Sequence, residues 1–235
     1  MNSQERFYRE ILYPFQDGVL NIVNKLNTPF YLTGGTALSR GYLNHRYSDD
    51  LDLFMNQRND YAGHVQSLFQ EFGRAKELEL FDIDYNNLQK YKDFAQFVLY
   101  KTIEKERIDL KIDVVNDISS HFGDFIKHPV LGAIDSWRNI LSNKLAAVFR
   151  YEPKDIVDIW AIAKNYTFNW MEVIEEAKTK EAAVDPVVIC NILKSFPREL
   201  LSTIKWISTI DFELIAKDLG KIAESILKGS ENNNI

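Results

Sequence analysis

The stretch from residue 30 to residue 54 constrains the fold of this 235-residue chain more than any other. It reads FYLTGGTALSRGYLNHRYSDDLDLF. An apolar run leads into the glycine turn Thr33–Thr36, a short helical segment follows, and a second apolar run carries alternating acids. This order predicts two strands joined by a glycine turn and a short helix, with Asp50 and Asp52 presented at the second strand.

Asp50 and Asp52 are two positions apart, so a strand presents both on one face, roughly 7 Å apart at about 3.3 Å per residue. Two carboxylates on one face repel each other unless a cation lies between them. Mg²⁺ is usually held by one or two carboxylates together with substrate phosphates. We therefore predict a Mg²⁺ site here. The alternative is a solvated strand edge on which two acids occur by chance.

The glycine turn predicts a phosphate site. Gly34 and Gly35 let the backbone approach a ligand because neither residue carries a Cβ. The helix start at Thr36 offers free amides, which bind anions. The alternative is an ordinary turn between a strand and a helix. Together with the acids downstream, the turn favours a metal-dependent nucleotide-transfer site.

A third carboxylate is expected from the segment Arg107–Val115. There Ile108, Leu110, Ile112 and Val114 alternate with charged residues, which is the pattern of a half-buried strand. Two-metal phosphoryl transfer commonly uses a third acid, which bridges a metal or takes the proton of the attacking hydroxyl. Asp113 is preferred because it lies at the strand end, and Asp109 on the same face is its rival. The alternative is a charged solvent face shared with Lys111.

Composition restricts the class of protein. Hydrophobic residues make up 46% of the chain, which is typical of a folded globular protein. The formal charge of −6 does not favour nucleic-acid binding overall, although a local basic patch can bind a polyanion. The single cysteine, Cys190, excludes an internal disulfide and fits a reducing compartment. The N-terminus lacks the apolar core of a secretory signal, and no apolar run approaches the roughly 20 residues of a membrane span. We expect a cytoplasmic protein with no membrane partner.

The periodicity predicts an α/β (α+β) fold with a mixed-sheet N-terminal lobe, residues 1–130, and a helical C-terminal lobe, residues 131–228. Residues 229–235 are expected to form a disordered tail. The predicted strands lie at 30–33, 51–55, 94–100 and 108–115, the last two paired as a hairpin. The predicted helices lie at 4–25 with a kink at Pro14, 37–44, 60–76, 135–150, 154–165, 170–178, 186–194 and 212–227.

Three blocks of the sequence resemble the AbiEii/AbiGii-type toxin nucleotidyltransferases, which are members of the DNA polymerase β-like nucleotidyltransferase superfamily. The first block is Leu32–Leu38 and the second is Tyr42–Phe54. The third block runs from Asn143 to Trp160. The resemblance covers most of the chain, and the first two blocks together are highly specific. It implies a nucleotidyltransferase-type fold with an NTP bound between the two lobes.

The resemblance also implies roles for individual residues. In the family the glycine motif and the Asp-x-Asp pair form the nucleotide and metal site, here Gly34, Gly35, Asp50 and Asp52. A downstream lysine, here Lys144, contacts the nucleotide phosphates. An Asp-x-x-Asp pair lines the same cleft, here Asp155 and Asp158, of which Asp158 is also a candidate for orienting the acceptor hydroxyl.

The sequence leaves a structural alternative for part of this set. Asp155 and Asp158 lie in a first helical turn, where carboxylates favour the positive end of the helix dipole. Two positions also depart from the family pattern: Gly35 stands where many members have serine, and Lys154 stands where arginine is common. Thr36, Arg46 and Ser48 are assigned to the nucleotide site, whereas His45 is read as structural because no Cys/His cluster indicates zinc.

The expected reaction is the Mg²⁺-dependent transfer of NMP from an NTP to an acceptor hydroxyl, with two ions in the active complex. The resemblance implies an RNA 3′ end such as tRNA as acceptor, and a toxin that a separately encoded antitoxin restrains. Local basic residues support an RNA acceptor: Arg138, Lys144, Arg150, Lys154 and Lys164. The alternatives are a small-molecule nucleotidyltransferase of the aminoglycoside-modifying type and a catalytically silent nucleotide-binding module.

Overall fold

The computed structural model describes residues 2–56 and 60–233. The chain forms two compact units that interleave along the sequence. The first, here called the sheet unit, comprises Met1–Ala37, Ser48–Ile118 and Phe125–Asp135. The second, here called the helical unit, comprises Leu38–Tyr47, Ser119–Asp124 and Ser136–Ile235. The division therefore differs from the single boundary near residue 130 that the sequence predicts.

The described residues of the sheet unit form an eight-stranded mixed sheet, which confirms the predicted fold class. The strand order is β3-β5-β6-β2-β1-β8-β7, and β4 also pairs with β5. Neighbouring strands are parallel in the β2–β6 and β1–β8 pairs and antiparallel in the others. The strands are β1 (Tyr31–Thr33), β2 (Leu51–Met55), β3 (Asp82–Ile83), β4 (Gln89–Lys90), β5 (Phe94–Ile103), β6 (Glu106–Asn116), β7 (Ile126–His128) and β8 (Gly132–Ile134).

The short strand β8 explains why the unit boundary lies later than predicted. Leu32 of β1 is in register with Ile134 of β8, and the Asp135 amide donates to the Leu32 carbonyl oxygen at 2.9 Å. These backbone bonds draw residues 132–135 into the sheet. Three residues are too short for the alternation of polar and apolar side chains to identify a strand.

The sheet has one covered face and one partly open face because its strands alternate as predicted. Leu51, Leu53 and Met55 of β2 are buried, whereas Asp52 and Phe54 are only half-buried. The predicted hairpin is confirmed, since β5 and β6 pair antiparallel from one end to the other. Helix α4 (Tyr61–Glu77) packs on the covered face, where the Phe72 ring lies 5.4 Å from that of Phe97.

The N-terminal helical segment is interrupted next to Pro14, as the sequence predicts. It consists of α1 (Ser3–Arg6), a π-helical segment (Phe7–Leu12) and α2 (Tyr13–Lys25). Proline has no amide hydrogen and cannot donate to the preceding turn. The chain accommodates this with a wider turn, in which the Tyr13 amide donates to the Tyr8 carbonyl oxygen.

The helices of the helical unit agree closely with the predicted ranges. The segment Leu38–Tyr47 contributes a π-helical segment (Ser39–Leu43), which follows α3 (Gly34–Leu38) directly in the chain. The longer helices are α5 (Trp137–Ala147), α6 (Pro153–Asn165), α7 (Trp170–Lys178), α8 (Pro186–Ser195) and α9 (Phe212–Lys228). None of the helices in the described part of the chain has both the length and the hydropathy needed to cross a membrane.

The C-terminal segment departs from the predicted disordered tail at 229–235. Residues Glu231–Asn233 form β10, which pairs antiparallel with β9 (Thr167–Asn169) in a region where the sequence predicts helices only. The buried Asn232 side chain donates to the carbonyl oxygens of Ala163 and Tyr166, which lie at the end of α6. Asparagine here satisfies helix-end carbonyls that have no partner within the helix. Residues 234–235 lie outside the described part of the chain.

Candidate functional site

Strand register brings two of the predicted carboxylates side by side in the sheet unit. Asp52 of β2 is in register with Asp113 of the parallel strand β6, and on its other side with Thr33 of β1. Side chains in register on neighbouring strands lie on the same face. The rival acid, Asp109, lies two alternate positions away on β6 and pairs with Arg107 at 2.7 Å. The geometry thus favours Asp113 over Asp109.

Lys111 lies beside these acids and forms ion pairs with Asp113 and Asp50. Its Nζ is 2.8 Å from Asp113 Oδ2 and 3.8 Å from Asp50 Oδ2. Burial lowers the pKa of Lys111, but the hydrogen bond to Asp113 and the charges of Asp50 and Asp52 outweigh burial and raise it overall. Lys111 is therefore a cation that partly offsets the repulsion among the three carboxylates.

The glycine turn is shaped around Asp52. Gly34 has φ of +66°, and a Cβ added to it would lie 2.2 Å from Asp52 Oδ2. A side chain at this position would thus meet both backbone strain and a steric clash with the carboxylate. Gly35 and Thr36 follow within α3, and both are buried. Gly34 is accordingly required here for the close approach of the turn to an acid of the site.

Thr36 and Ser48 hold the segment that carries Asp50. Thr36 Oγ1 lies 2.5 Å from the Asp50 carbonyl oxygen and 2.9 Å from Ser48 Oγ. From α2, Gln16 Nε2 donates to the carbonyl oxygens of Ser48 and Asp49 at 3.1 and 2.9 Å. The side chains of Thr36 and Ser48 are buried and used in these bonds. Their geometry favours positioning of the acidic segment over direct contact with a nucleotide.

The helical unit contains a buried ion-pair cluster centred on Asp158. Arg46 donates to it through Nε and Nη2, each at 2.8 Å, and Lys144 Nζ lies 2.8 Å away. His45 Nε2 lies 2.9 Å from the same carboxylate. The Asp158 side chain has no exposed surface. Burial opposes its charge, but the charges of Arg46 and Lys144 and the hydrogen bonds from His45 and Arg46 outweigh burial and hold the pKa of Asp158 well below its ordinary value.

Asp155 extends this cluster toward the surface. Its two carboxylate oxygens lie 2.7 Å from Lys144 Nζ and 2.7 Å from Arg150 Nη2. The Lys144 side chain is 12% exposed and that of Arg150 is 63% exposed. Burial lowers the pKa of Lys144, but Asp158 and Asp155 outweigh burial and raise it overall. Lys144 thus remains charged and has two carboxylate partners.

The contacts in this cluster favour different roles for Arg46 and Asp158 from those that the sequence suggests. Arg46 is assigned to triphosphate binding, yet its side chain is 2% exposed and forms a two-point pair with Asp158. Asp158 is assigned a role in orienting the acceptor hydroxyl, yet its side chain is paired with Arg46 and has no exposed surface. A buried carboxylate held by two cations, Arg46 and Lys144, and contacted by the His45 ring is suited to stabilising local structure and poorly suited to accepting a proton. Positioning is the role that this geometry favours for both residues.

His45 belongs to the same cluster, which agrees with its interpretation as a structural residue. Its Nδ1 is buried and has no hydrogen-bond partner among the described residues. Burial, together with the charges of Arg46 and Lys144, lowers the pKa of His45 despite the attraction of Asp158. The ring is therefore held neutral near pH 7.

The basic residues that the sequence suggests for RNA binding are largely paired within the helical unit. Arg138 forms ion pairs with Glu172 and Glu176 on α7. Lys164 Nζ lies 5.1 Å from the centre of the Trp160 ring. Together with the pairs of Lys144 and Arg150, these contacts show that four of the five suggested residues have partners within this unit.

The residues of the sheet unit fit a divalent cation, although they do not form a complete cage. Among the described residues, no three His, Cys, Asp or Glu side chains are grouped closely enough to hold a metal ion. Asp113 Oδ1, however, is buried and accepts no hydrogen bond from the part of the chain that the structure describes. Such an oxygen is suited to a cation, and Mg²⁺ ordinarily completes its shell with substrate phosphates and water.

Lys111 and Gln96 are residues of this face that sequence reasoning did not assign to the site. Gln96 of β5 is in register with Asp113, so it extends the row of Thr33, Asp52 and Asp113 across four strands. The alternation of side chains in β6 could have identified Lys111, because it places Lys111 on the same face as Asp113. No local pattern identifies Gln96, since only the pairing of β5 with β6 places it beside Asp113.

The chain is similar to known proteins over most of its length. The sequence matches the family described as nucleotidyl transferase AbiEii toxin, type IV toxin–antitoxin system, over residues 21–220. A candidate nucleotidyltransferase from H. pylori has a similar structure over 91% of this chain and 93% of its own, with a TM-score of 0.59 and 21% identity. JHP933 from Helicobacter pylori is similar over 97% of this chain and 94% of its own, with a TM-score of 0.57 and 22% identity.

At these identities the two solved structures show a shared fold alone. No curated protein sequence matches this chain significantly. The family match, in contrast, covers well over half of the chain and includes the glycine turn, all three carboxylates of the sheet and the Asp158 cluster. The chain therefore belongs to the AbiEii toxin nucleotidyltransferases and is a nucleotidyltransferase.

Proposed function

We propose that this enzyme transfers NMP from an NTP to the 3′ hydroxyl of an RNA such as tRNA, in a Mg²⁺-dependent reaction. The observation that carries the proposal is the register of Asp52 with Asp113 on parallel strands, beside Asp50 and the Gly34 turn. Adjacent carboxylates on one face are the arrangement that two-metal phosphoryl transfer uses. The family description supports a toxin role and restraint by an antitoxin as parts of the proposal. A cytoplasmic location is also part of the proposal.

In this proposal Asp50, Asp52 and Asp113 hold two Mg²⁺ ions. The metal, when bound, neutralises triphosphate charge and polarises the phosphoryl oxygens. The unpartnered Asp113 Oδ1 supports the assignment because it lacks the donor that a buried carboxylate oxygen ordinarily has. Lys111, which pairs with Asp113 and Asp50, exchanges these partners for substrate phosphate.

Asp113 is proposed to orient and deprotonate the acceptor hydroxyl. The acceptor oxygen then forms a bond to the α-phosphorus, and the bond from that phosphorus to the β-phosphate oxygen breaks. The proton passes to Asp113, and pyrophosphate leaves with the electron pair of the broken bond. The products are an acceptor extended by one nucleotide and pyrophosphate, so atoms and charge balance.

Lys144 is proposed to neutralise phosphate charge, which is the role of the matching lysine in the family. Its charge is secured by Asp155 and Asp158, so it is protonated whenever a nucleotide arrives. Asp155 and Asp158 are proposed to hold the lysine in place, and Gly34, Gly35 and Thr36 to approach the triphosphate through their backbone.

The test uses each of the four labelled NTPs with Mg²⁺ and total RNA. The parent enzyme should label RNA, and Asp52→Asn should abolish labelling without loss of the folded state. Asp109→Asn is the matched control, because Asp109 lies on the same strand and face but pairs with Arg107 outside the site. Labelling of an aminoglycoside or other small hydroxyl compound, with no RNA labelled, would support a small-molecule enzyme instead. Transfer at the parental rate by Asp52→Asn would refute the carboxylate site itself.

A further inference from the structure

A partly exposed aromatic pair lies next to the carboxylates on the open face of the sheet. The β4–β5 register pairs Lys90 with Ala95, and the Tyr91 amide donates to the Phe94 carbonyl oxygen at 2.7 Å. The register therefore continues by one step and sets Tyr91 opposite Phe94. Their rings are stacked, with centroids 6.2 Å apart and an interplanar angle of 24°. Tyr91 is 67% exposed, so this pair is a surface feature.

Register also locates the pair relative to the site. Gln96 is opposite Asp113, and Phe94 is opposite Val115. Since alternate residues of a strand share a face, Phe94 lies on the face of Asp113, two residues or roughly 7 Å further along the strands. The strand order β5-β6-β2 sets Asp113 between the aromatic pair and Asp52. The pair is thus on the Asp113 side of the site.

The surroundings show that the sheet core does not require the Tyr91 ring. The preceding residue, Lys90, extends to the covered face, where its Nζ lies 3.9 Å from the centre of the Phe69 ring on α4. Tyr91 accordingly points to the open face. The next residue along the chain, Lys92, is exposed and offers a positive charge beside the rings. Adjacent aromatic and cationic side chains are the elements that single-stranded nucleic-acid sites combine.

We propose that Tyr91 and Phe94 form a stacking platform for the 3′-terminal base of a single-stranded RNA acceptor, which directs its terminal hydroxyl to Asp113. This inference rests on the proposed function, in which Asp50, Asp52 and Asp113 would hold the Mg²⁺ ions and Asp113 also orients the acceptor hydroxyl. Every nucleobase has a π face, so stacking on the pair is tolerant of sequence. A polycationic aminoglycoside acceptor would instead be repelled by the charge of Lys92 beside the rings. The platform therefore favours RNA as the substrate class.

The experiment measures binding without turnover, using the full-length Asp52→Asn variant and a short fluorescein-labelled single-stranded RNA. Fluorescence anisotropy compares the intact RNA with the same RNA carrying an abasic 3′-terminal nucleotide. Stacking of one base predicts that the intact RNA binds about 5- to 150-fold more tightly. Tyr91→Ala should reduce this ratio to about 1, and Tyr91→Trp should retain it. Thermal melting confirms that each variant is folded.

The matched control is Tyr85→Ala. Tyr85 is 54% exposed, but its ring lies 4.9 Å from Lys76 Nζ on α4. Its removal should leave the intact-to-abasic ratio unchanged. The platform would be refuted if the intact-to-abasic affinity ratio were near 1 in the protein with Tyr91 unchanged. It would also be refuted if Tyr91→Ala left that ratio unchanged. Weaker NTP binding in Tyr91→Ala, with an unchanged RNA ratio, would assign the pair to the incoming nucleotide and also overturn the inference.

The proposed function and the platform can fail separately. If the parent enzyme labels RNA but Tyr91→Ala leaves the KM for RNA unchanged, the function stands and the platform is refuted. If the base-dependent binding ratio is found and lost in Tyr91→Ala, the platform is supported even when no RNA is labelled. That second result would refute the transfer reaction alone.

Discussion

Asp158→Asn is expected to destabilise the protein more than any exposed charge substitution. The change keeps the shape of the side chain but removes the charge that Arg46 and Lys144 share. It also turns an amide NH₂ group toward cationic donors. Removing one partner of a buried ion pair typically costs about 3–5 kcal/mol, because the other charge is left buried and uncompensated. Since whole domains are stable by only about 5–15 kcal/mol, this loss is a large fraction.

The magnitude follows from burial and from the number of bonds. Asp158 has 0% exposed side-chain surface, and Arg46 has 2%. Water therefore cannot replace the lost partner of the guanidinium. Lys144 loses less stabilising interaction than Arg46 does, because Asp155 remains 2.7 Å from its Nζ. We thus assign most of the expected loss to Arg46.

Urea unfolding followed by circular dichroism measures the free energy of unfolding. The control is Glu175→Gln, which breaks an ion pair with Lys178 whose side chains are 38% and 63% exposed. Such a surface pair should change stability by less than about 1 kcal/mol. The double variant Arg46→Met, Asp158→Leu should lose less than the sum of the two single changes, since it removes both buried charges. A loss of under about 1 kcal/mol for Asp158→Asn would refute this reasoning.

The cluster also predicts an acid dependence with a defined sign. The pKa of Asp158 in the folded protein lies well below its ordinary value. Its contribution to stability is therefore complete above the unfolded pKa, about 3.9, and is lost as pH falls through the lower folded pKa. The stability difference between the parent and Asp158→Asn should shrink only below about pH 4. A difference that shrinks between pH 7 and pH 5 would contradict the assignment to Asp158.

Three further predictions concern the site and its surroundings. Lys144→Ala should weaken NTP binding by roughly 1.5–3 kcal/mol, the range of a charged hydrogen bond, as measured by calorimetry; unchanged affinity with an intact fold would refute a phosphate contact. Gly34→Ala should abolish transfer, measured with labelled NTP, because its Cβ would meet Asp52 Oδ2 at 2.2 Å; parental activity would contradict the shape of the turn. Because the pKa of His45 is lowered in the folded protein, the protein should be most stable above about pH 6.5, where the ring is neutral in both states. Below that pH the free energy of unfolding should fall by up to about 1.4 kcal/mol per pH unit. His45→Gln should remove this slope in unfolding measurements, and an identical slope in the variant would contradict the assignment to His45.

The sequence by itself predicted the local elements, and it singled out the acids of the candidate site. Alternation in β2 and β6 depends on residues two positions apart, so it predicts which side chains share a face without any knowledge of neighbours. The charged turn between β5 and β6 is also a local pattern, and it predicts that the two strands form a hairpin. Gly34 and Asp52 could therefore be assigned before the close approach of one to the other was known.

Only the tertiary structure decided which distant residues are partners. Arg46 and Asp158 are 112 positions apart, and no local pattern distinguishes an arginine that binds phosphate from one that pairs with a buried aspartate. Strand order likewise placed Asp52 beside Asp113 and drew β8 into the sheet. Periodicity records which face of an element is buried, whereas partners are set by the packing of elements that are far apart in the chain.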